Sequence, residues 1–352
     1  MDIEERLKLI KSPPTEEIIT ESELIELLQT KDKIYAYDGF EPSGLAHLGS
    51  GILRAIKIED LLKAKIKFKI LIADWYAWIN NKMGGDLEKI QFAGKYLIEA
   101  WKACGVDTDK IEIVWASDLV KDSEYWKKVL QIAKITTISR MIRCSPIMGR
   151  CEKEMQYVAQ ILYPNMQAAD PFQLNVDICQ LGMDQRHATM LSREVGEKIG
   201  WYKPVCVHHH LLLGLQAKER MGKDQHNLKM SKSKPMSAIF IHDSQKEIEE
   251  KINSAYCPEK IIENNPVLDI CKYIIFRKRK NILIERPKKY GGNIEFYNYS
   301  DLESYYREAK LHPLDLKLAV AKNLNDILEP VRKYFEKNKN AKKFYEIVKN
   351  EV

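Results

Sequence analysis

Short apolar runs alternate with longer amphipathic stretches over the first two thirds of the chain. The apolar runs at 33–40, 68–74 and 110–117 are rich in β-branched and aromatic residues, which is typical of buried strands. After His47, apolar or small residues recur at steps of three and four and predict a helix face; they are Leu48, Gly51, Ala55, Ile58 and Leu62. Strand, turn, helix and strand in this order predict an α/β fold with a parallel sheet.

The pattern changes near residue 240. Before this point, a further strand is predicted at 176–182, and a helix is predicted to follow it. Beyond it, the segments 244–256, 300–310 and 314–338 have helical periodicity, and strand patterns are sparse. We therefore predict two domains, with the sheet in residues 1–240 and a mainly helical domain in residues 241–352.

Composition narrows the class of protein. No run of eighteen apolar residues occurs, so no membrane span is expected, and the charged N-terminus lacks the apolar region of a secretory signal. The seven cysteines include no CxxC pair, which favours reduced thiols and a cytoplasmic location. The net charge is +6, and seven of the thirteen residues at 277–289 are basic. This run is either a solvated surface or a contact for a phosphate backbone.

A glycine-rich turn lies between the first predicted strand and the helix after it. GFEPSGLAHLGSG, residues 39–51, places four glycines around His47 at the start of a helix, where backbone N–H groups favour an anion. His47 could donate to a phosphate or could cap its own turn, and the sequence favours neither. The turn is not a GxGxxG motif and lacks an acidic ribose partner at the usual distance, so a nicotinamide dehydrogenase is disfavoured.

Two lysines stand three residues apart in LKMSKSKP, residues 228–235. Alone, Lys229 and Lys232 would indicate only a solvated loop. Together with the His47 turn, they suit a nucleoside triphosphate whose negative charge builds on the departing pyrophosphate.

The HLGS and KMSKS motifs, in this order on an α/β chain, resemble the two signatures of class I aminoacyl-tRNA synthetases. Other segments are similar to the archaeal and eukaryotic tyrosyl-tRNA synthetases; they are AYDGFEPSG, IADWYAWINNKMGGD, LYPNMQAAD, DICQLGMDQR, AYCP and LHPLDLK. The resemblance extends from about residue 15 to about residue 335. It implies a Rossmann-like catalytic domain with a connective insertion, followed by a helical anticodon-binding domain. The implied reaction is ATP-dependent attachment of L-tyrosine to tRNA(Tyr) through a tyrosyl-adenylate.

By this resemblance, Tyr37 and Asp170 meet the hydroxyl of the substrate tyrosine, with Asp170 ionised. Phenylalanine would leave the polar groups that pair with that hydroxyl without a hydrogen-bond partner, and tyrosyl-tRNA synthetases are known to reject phenylalanine in this way. The substrate ammonium is expected near Tyr163, Gln167 and Gln185. Tyr163, Gln167 and Asp170 are spaced i, i+4 and i+7, so they share one face if the segment is helical.

The resemblance also implies an ATP site. Its expected residues are Gly39, His47, Gly49, Gly182, Asp184, Lys229 and Lys232. Of these, His47, Lys229 and Lys232 are the expected catalytic groups, with the two lysines on a loop at 221–236. Ser50 occupies the place of the second signature histidine. Mg²⁺ is expected on the ATP phosphates without a dedicated protein site, and the histidines at 208–210 with His187 lack the spacing of a zinc site.

Contacts with tRNA are implied at two places. Asp315 is expected to accept a hydrogen bond from the first anticodon base, Tyr290 to stack on it, and 277–289 to hold the backbone. Near the acceptor stem the candidates are Arg143, Arg150 and Arg186. The insertion at about 124–160 is expected to form a homodimer, with apolar contacts from 136–144 and 161–165.

Two other functions remain open. A tryptophanyl-tRNA synthetase shares both signatures, but indole has no hydroxyl to match Tyr37 and Asp170. A non-catalytic RNA-binding relative would tolerate loss of the nucleotide residues, and these are present.

Overall fold

The structure is a computed structural model, and it describes residues 1–154, 157–216, 229–230 and 235–351. Its strands are β1 Thr15–Ile19, β2 Tyr35–Phe40, β3 Lys67–Ile72, β4 Ile111–Trp115, β5 Ile178–Gly182, β6 Val205–His209, β7 Ile282–Ile284 and β8 Ile294–Phe296. Its α-helices up to β6 are α1 Ile3–Lys11, α2 Glu21–Thr30, α3 Arg54–Lys63, α4 Asp74–Ile79, α5 Leu87–Ala103, α6 Ala116–Leu119, α7 Ser123–Ile135, α8 Ile138–Ile142, α9 Val158–Gln173 and α10 Arg186–Ile199. The later helices are α11 Gln245–Ser254, α12 Pro266–Ile270, α13 Phe276–Lys278, α14 Tyr299–Arg307, α15 Pro313–Lys337 and α16 Lys339–Asn350.

The main sheet has the strand order β1-β6-β5-β2-β3-β4. Strands β2 to β6 are parallel, and β1 pairs antiparallel with β6 at the edge. The chain proceeds outward from β2 through β3 and β4, and then returns to the other side of β2 to form β5 and β6. This reversal confirms the predicted Rossmann-like sheet, and it opens a crevice at the carboxyl ends of β2 and β5.

The four predicted strands agree with the structure to within two residues at their ends. Strands β1 and β6 were not predicted. Strand β6 contains two histidines that look polar in the sequence, yet all five of its residues are buried. The helix expected after His47 begins as a π-helical turn, Gly49–Leu53, and continues as α3.

The C-terminal helices pack directly against the sheet part of the molecule. One hydrophobic cluster includes Phe68 of β3, Trp101 of α5, Phe335 of α15 and Ile274, which lies between α12 and α13. A second cluster lies beneath α7, α9 and α10. The helical character predicted beyond residue 240 is confirmed, although β7 and β8 form a hairpin there that the sequence did not predict. No described helix is long and apolar enough to cross a membrane.

Candidate active site

A cleft of about 490 Å³ lies at the crevice between β2 and β5. Its lining includes ten of the predicted tyrosine and ATP residues; they are Tyr37, Gly39, His47, Gly49, Tyr163, Gln167, Asp170, Asp184, Gln185 and Lys229. Gly182 ends β5 beside it, and Lys232 lies outside the described residues. The structure therefore brings together side chains that lie as far apart in the sequence as Tyr37 and Lys229.

Asp170 is buried in the wall of the cleft and accepts hydrogen bonds from two tyrosines. The Tyr76 hydroxyl lies 2.7 and 2.8 Å from its two carboxyl oxygens, and the Tyr125 hydroxyl lies 3.3 Å from one of them. Burial raises the pKa of Asp170 to about 8, although both hydrogen bonds act to lower it. Burial therefore favours the protonated carboxyl in the free protein near pH 7, and the ionised Asp170 expected opposite the substrate hydroxyl stays a prediction. Tyr37 lines the same cleft, where burial raises the pKa of its hydroxyl well above 10.

Helix α9 carries Tyr163, Gln167 and Asp170 along one wall, as their spacing predicted. The Gln167 amide donates to the Gln185 side chain at 3.0 Å, while its buried oxygen has no partner among the described residues. The Tyr163 hydroxyl donates to Glu41 at 2.6 Å. A buried amide oxygen beside a carboxylate is suited to receive an ammonium group.

His47 both caps its own turn and lines the cleft, so its two interpretations are compatible. The Gly49 amide donates to His47 Nδ1 at 3.1 Å, and the His47 amide donates to Ser50 Oγ at 3.1 Å. A Cβ atom at Gly49 would lie only 3.0 Å from the imidazole, so glycine allows the ring to pack against the turn. At Gly39 a Cβ would meet nothing closer than 3.9 Å, which leaves room there for a ligand.

Lys229 and Asp184 form an ion pair across the opposite wall. Burial acts to raise the pKa of Asp184, but the charge and hydrogen bond of Lys229, together with the charge of Arg54 and a hydrogen bond from Gln185, outweigh it and lower the pKa. A Cβ at Gly182 would approach Asp184 Oδ1 to 2.6 Å, so glycine is required beside this carboxylate. Asp184, predicted to bind the ribose, and Lys229, predicted to bind a phosphate, therefore neutralise each other in the free protein.

Three histidines follow one another at the end of β6, and each has a different environment. His208 contacts Glu17 at 2.7 Å and the Thr189 hydroxyl at 2.8 Å. His210 lies between Glu16 and Asp269, and these two hydrogen bonds outweigh burial and raise its pKa to about 9. Across the described ranges, no three His, Cys, Asp or Glu side chains form a metal site.

Comparison with known proteins supports this geometry. Residues 29–329 match the family model for tRNA synthetases class I (W and Y). A tyrosine–tRNA ligase from Sulfurisphaera tokodaii is 49% identical over 343 residues, which cover 96% of this chain and 94% of the relative. One from Thermococcus kodakarensis is 45% identical over 361 residues, with 96% of each chain covered. The crystal structure of tyrosyl-tRNA synthetase from Pyrococcus horikoshii complexed with L-tyrosine superposes with a TM-score of 0.92 at 43% identity, covering 99% of this chain and 100% of that one.

The chain belongs to the tyrosyl-tRNA synthetases. The family model covers synthetases for both tryptophan and tyrosine, and both of these relatives are named tyrosine–tRNA ligases. The chain also spans nearly the full length of these relatives, from the sheet to the C-terminal helices.

The arginines predicted at the acceptor stem of this tyrosyl-tRNA synthetase differ in exposure. Arg143 is exposed. Arg150 donates to the Asn80 side chain at 2.8 Å and to its backbone oxygen at 3.2 Å, so it supports the cleft wall. Arg186 is paired with Glu17 at 2.9 Å but remains 44% exposed. A tRNA contact stays a prediction for all three.

The anticodon candidates lie around the β7–β8 hairpin and the start of α15. Tyr290 is 61% exposed in the hairpin loop, with the Lys289 ammonium 4.8 Å from its ring centre. Asp315 lies in the first turn of α15. Within the basic run, Arg277 is paired with Asp60 at 2.6 Å and supports the fold. The exposed cations of this run are Arg279, Lys280, Lys288 and Lys289.

Sequence reasoning missed several groups in the active site of this synthetase. Tyr76 and Glu41 lie in motifs that carried the family resemblance. Tyr76 has apolar neighbours and Glu41 lies in the glycine-rich turn, so the sequence does not indicate that either side chain faces the cleft. Asn80 donates to both Glu41 oxygens, at 3.1 and 3.2 Å. Tyr125 lies on α7, and nothing in the local sequence indicates that it reaches Asp170.

Proposed function

We propose that this chain attaches L-tyrosine to tRNA(Tyr), using ATP to form a tyrosyl-adenylate and releasing pyrophosphate and then AMP. The observation that carries the proposal is the buried Asp170 carboxyl, on the same helix face as Tyr163 and Gln167. This arrangement provides a hydrogen-bonding group for a phenol at one end and an ammonium site at the other. The tyrosine–tRNA ligases that match along the whole chain support it.

The substrate phenol lies between Tyr37 and Asp170 in the proposed complex. Tyr76 and Tyr125 keep the carboxyl oriented, so the substrate hydroxyl completes an existing hydrogen-bond network. The substrate ammonium contacts Tyr163, the free oxygen of Gln167 and Gln185. Glu41, fixed by Asn80, adds a negative charge near that position.

Adenylate formation needs no nucleophile from the protein. An oxygen of the tyrosine carboxylate attacks the α-phosphorus, and the bond from that phosphorus to the bridging oxygen of pyrophosphate breaks. His47 donates to a phosphate oxygen, and Lys229 and Lys232 stabilise the charge on the departing pyrophosphate. Asp184 and the backbone at Gly39 and Gly182 hold the ribose and nucleotide. Mg²⁺ would enter with the ATP and would add positive charge at its phosphates, and no residue of this chain is assigned to hold it.

Transfer to tRNA follows in the proposed second step. A hydroxyl of the terminal adenosine attacks the tyrosyl carbonyl, and AMP leaves. We assign this recognition to Arg143, Arg150 and Arg186 near the acceptor end, and anticodon recognition to Asp315 and Tyr290 in the domain at 241–352, with the exposed cations of 277–289 holding the backbone.

We also propose that two copies of the chain form a homodimer through the insertion at about 124–160. Apolar side chains are exposed along α7, α8 and the start of α9; they are Leu130, Ile135, Ile138, Tyr157 and Val158. Several large apolar side chains exposed on helices that pack together are typical of a protein interface. The segment 161–165, predicted to join this surface, is mostly buried within the chain itself and is not part of it.

Tyrosine-dependent exchange between ATP and labelled pyrophosphate tests the proposed activity. We expect exchange with tyrosine and, at the same concentrations, little with phenylalanine or tryptophan, because Asp170 and Tyr37 need a phenolic partner. Exchange with tryptophan instead would assign the other amino acid covered by the family model. Exchange with neither amino acid would favour a non-catalytic RNA-binding relative.

A further inference from the structure

Arg54 is a charged residue of the cleft wall that the proposed mechanism does not use. It begins α3 directly after the turn that carries His47, and its side chain is only 11% exposed. It lines the cleft together with His47 and Lys229. A buried guanidinium is stable only where it is paired and hydrogen-bonded, so the partners of Arg54 show which of its N–H groups remain available.

The Arg54 guanidinium makes its polar contacts through one nitrogen and stacks with one face on an aromatic ring. Arg54 Nη1 is paired with Asp38 and lies 3.0 Å from His209 Nδ1, while the group sits 4.6 Å above the Phe40 ring. Asp38 is itself fixed, because its other oxygen accepts the Gly39 amide at 2.9 Å. Arg54 has no further hydrogen-bond partner in the described part of the chain, so the Nε–Nη2 edge has no acceptor among those residues.

His209 shows a second unused donor at the same place. Arg54 can only donate, so His209 Nδ1 must accept and the ring proton lies on Nε2. Nε2 is buried and has no partner among the residues the structure describes. A Cβ at Gly182 would lie 3.5 Å from it, which places this N–H beside the end of β5, where the cleft opens. Two donors therefore lack acceptors at the position where the sheet crevice would receive an anion.

We propose that Arg54 is a further catalytic residue, binding a phosphate oxygen of ATP through its Nε–Nη2 edge, with Asp38 and His209 as its positioning residues. This inference rests on the proposed function. The planar fork of arginine matches two oxygens of one phosphate, and two fixed partners hold the fork before the nucleotide arrives. The Ser50 hydroxyl, in the adjacent turn, is bonded to the His47 backbone and supplies no charge of its own. Arg54 therefore supplies the positive charge on this wall of the cleft.

The test compares Arg54→Ala and Arg54→Lys with the wild type in tyrosine-dependent pyrophosphate exchange, alongside tyrosine binding by calorimetry. We expect Arg54→Ala to lower kcat by about 100-fold, as for the loss of one positioned transition-state donor, with tyrosine affinity within about threefold of wild type. Arg54→Lys keeps the charge without the fork, so it should recover only part of kcat. Methylguanidinium added to Arg54→Ala should restore part of the rate.

Arg193→Ala is the matched control, because Arg193 is equally buried and pairs with Glu23 at 2.7 Å away from the cleft lining. It should lower thermal stability without lowering kcat comparably and without responding to methylguanidinium. Equal losses of kcat in the two alanine variants, or no response of Arg54→Ala to methylguanidinium, would give Arg54 a structural role and overturn the proposal. Absence of tyrosine-dependent exchange in the wild type would instead refute the proposed function.

Discussion

Replacing Asp170 by asparagine tests whether this carboxyl is uncharged in the free protein. Asparagine is close to aspartate in size and keeps an oxygen that accepts from Tyr76, but it does not titrate. Burial raises the pKa of Asp170 from 3.8 to about 8 in the folded chain. The variant therefore removes one titrating group and leaves most of the packing in place.

The sign of the pH effect follows from this shift. Below about pH 4 the Asp170 carboxyl is protonated in both the folded and unfolded chains. Between about pH 4 and pH 8 only the unfolded chain has lost the proton, so the free energy of unfolding falls as the pH rises. At about 1.4 kcal/mol per pH unit, the loss contributed by this group between pH 5 and pH 8.5 is about 4 kcal/mol.

Urea denaturation of the wild type and Asp170→Asn at pH 5 and pH 8.5, without ligands, measures this contribution. The wild type should lose about 4 kcal/mol more than the variant over this interval, because all other titrating groups are common to both. Parallel losses in the two proteins would show that Asp170 is ionised in the free protein and would refute the reasoning. Asp170→Asn should also lose tyrosine-dependent exchange.

Three further changes test other parts of the site. Tyr76→Phe removes the closest donor to Asp170 and should weaken tyrosine binding in calorimetry by about 10-fold, since removing one partner of a buried polar group costs about 1–3 kcal/mol. Asp315→Ala should leave pyrophosphate exchange within about threefold of wild type while tRNA charging falls, because Asp315, in the first turn of α15, does not line the cleft. Ile138→Glu places a charge on the exposed insertion surface and should convert the proposed dimer to monomers in analytical ultracentrifugation.

Each change has a control or a contrary outcome. Unchanged tyrosine affinity in Tyr76→Phe would mean that Tyr125 alone orients the carboxyl. Loss of exchange in Asp315→Ala would contradict the division of labour between residues 1–240 and 241–352. Leu318→Glu is the matched control at an exposed apolar position on α15 and should leave the oligomeric state unchanged. If the Leu318→Glu dimer also dissociated, the effect of Ile138→Glu would reflect a general loss of folding.

The sequence predicted the parts of the site that depend on chain periodicity. Tyr163, Gln167 and Asp170 share a helix face because their spacing follows the helical repeat, and the structure puts all three in the cleft. Tyr37 and Gly39 were assigned by the family resemblance, and both lie in the first predicted strand. Spacing alone predicts which residues share the α9 face, whereas the roles of all these residues came from the resemblance.

The missed features depend on long-range packing. Tyr125 reaches Asp170 across 45 residues, and Arg54 meets His209 across 155, with no local pattern to connect them. Strand β6 looks polar in the sequence because it contains two histidines. In the structure it is buried, and His208 contacts Glu17 of β1 and Thr189 of α10. The raised pKa of Asp170 likewise follows from burial in the assembled fold, which no local sequence pattern indicates.

The ion pair between Lys229 and Asp184 makes nucleotide entry an exchange of partners. In the proposed complex, the ribose hydroxyls take the carboxylate and a phosphate takes the ammonium, so each charge leaves one counterion and gains another. Adenosine, which has no phosphate, would separate the two charges and leave the lysine with no replacement. If the proposed complex is correct, this ion pair would disfavour the binding of nucleosides relative to nucleotides before any reaction begins.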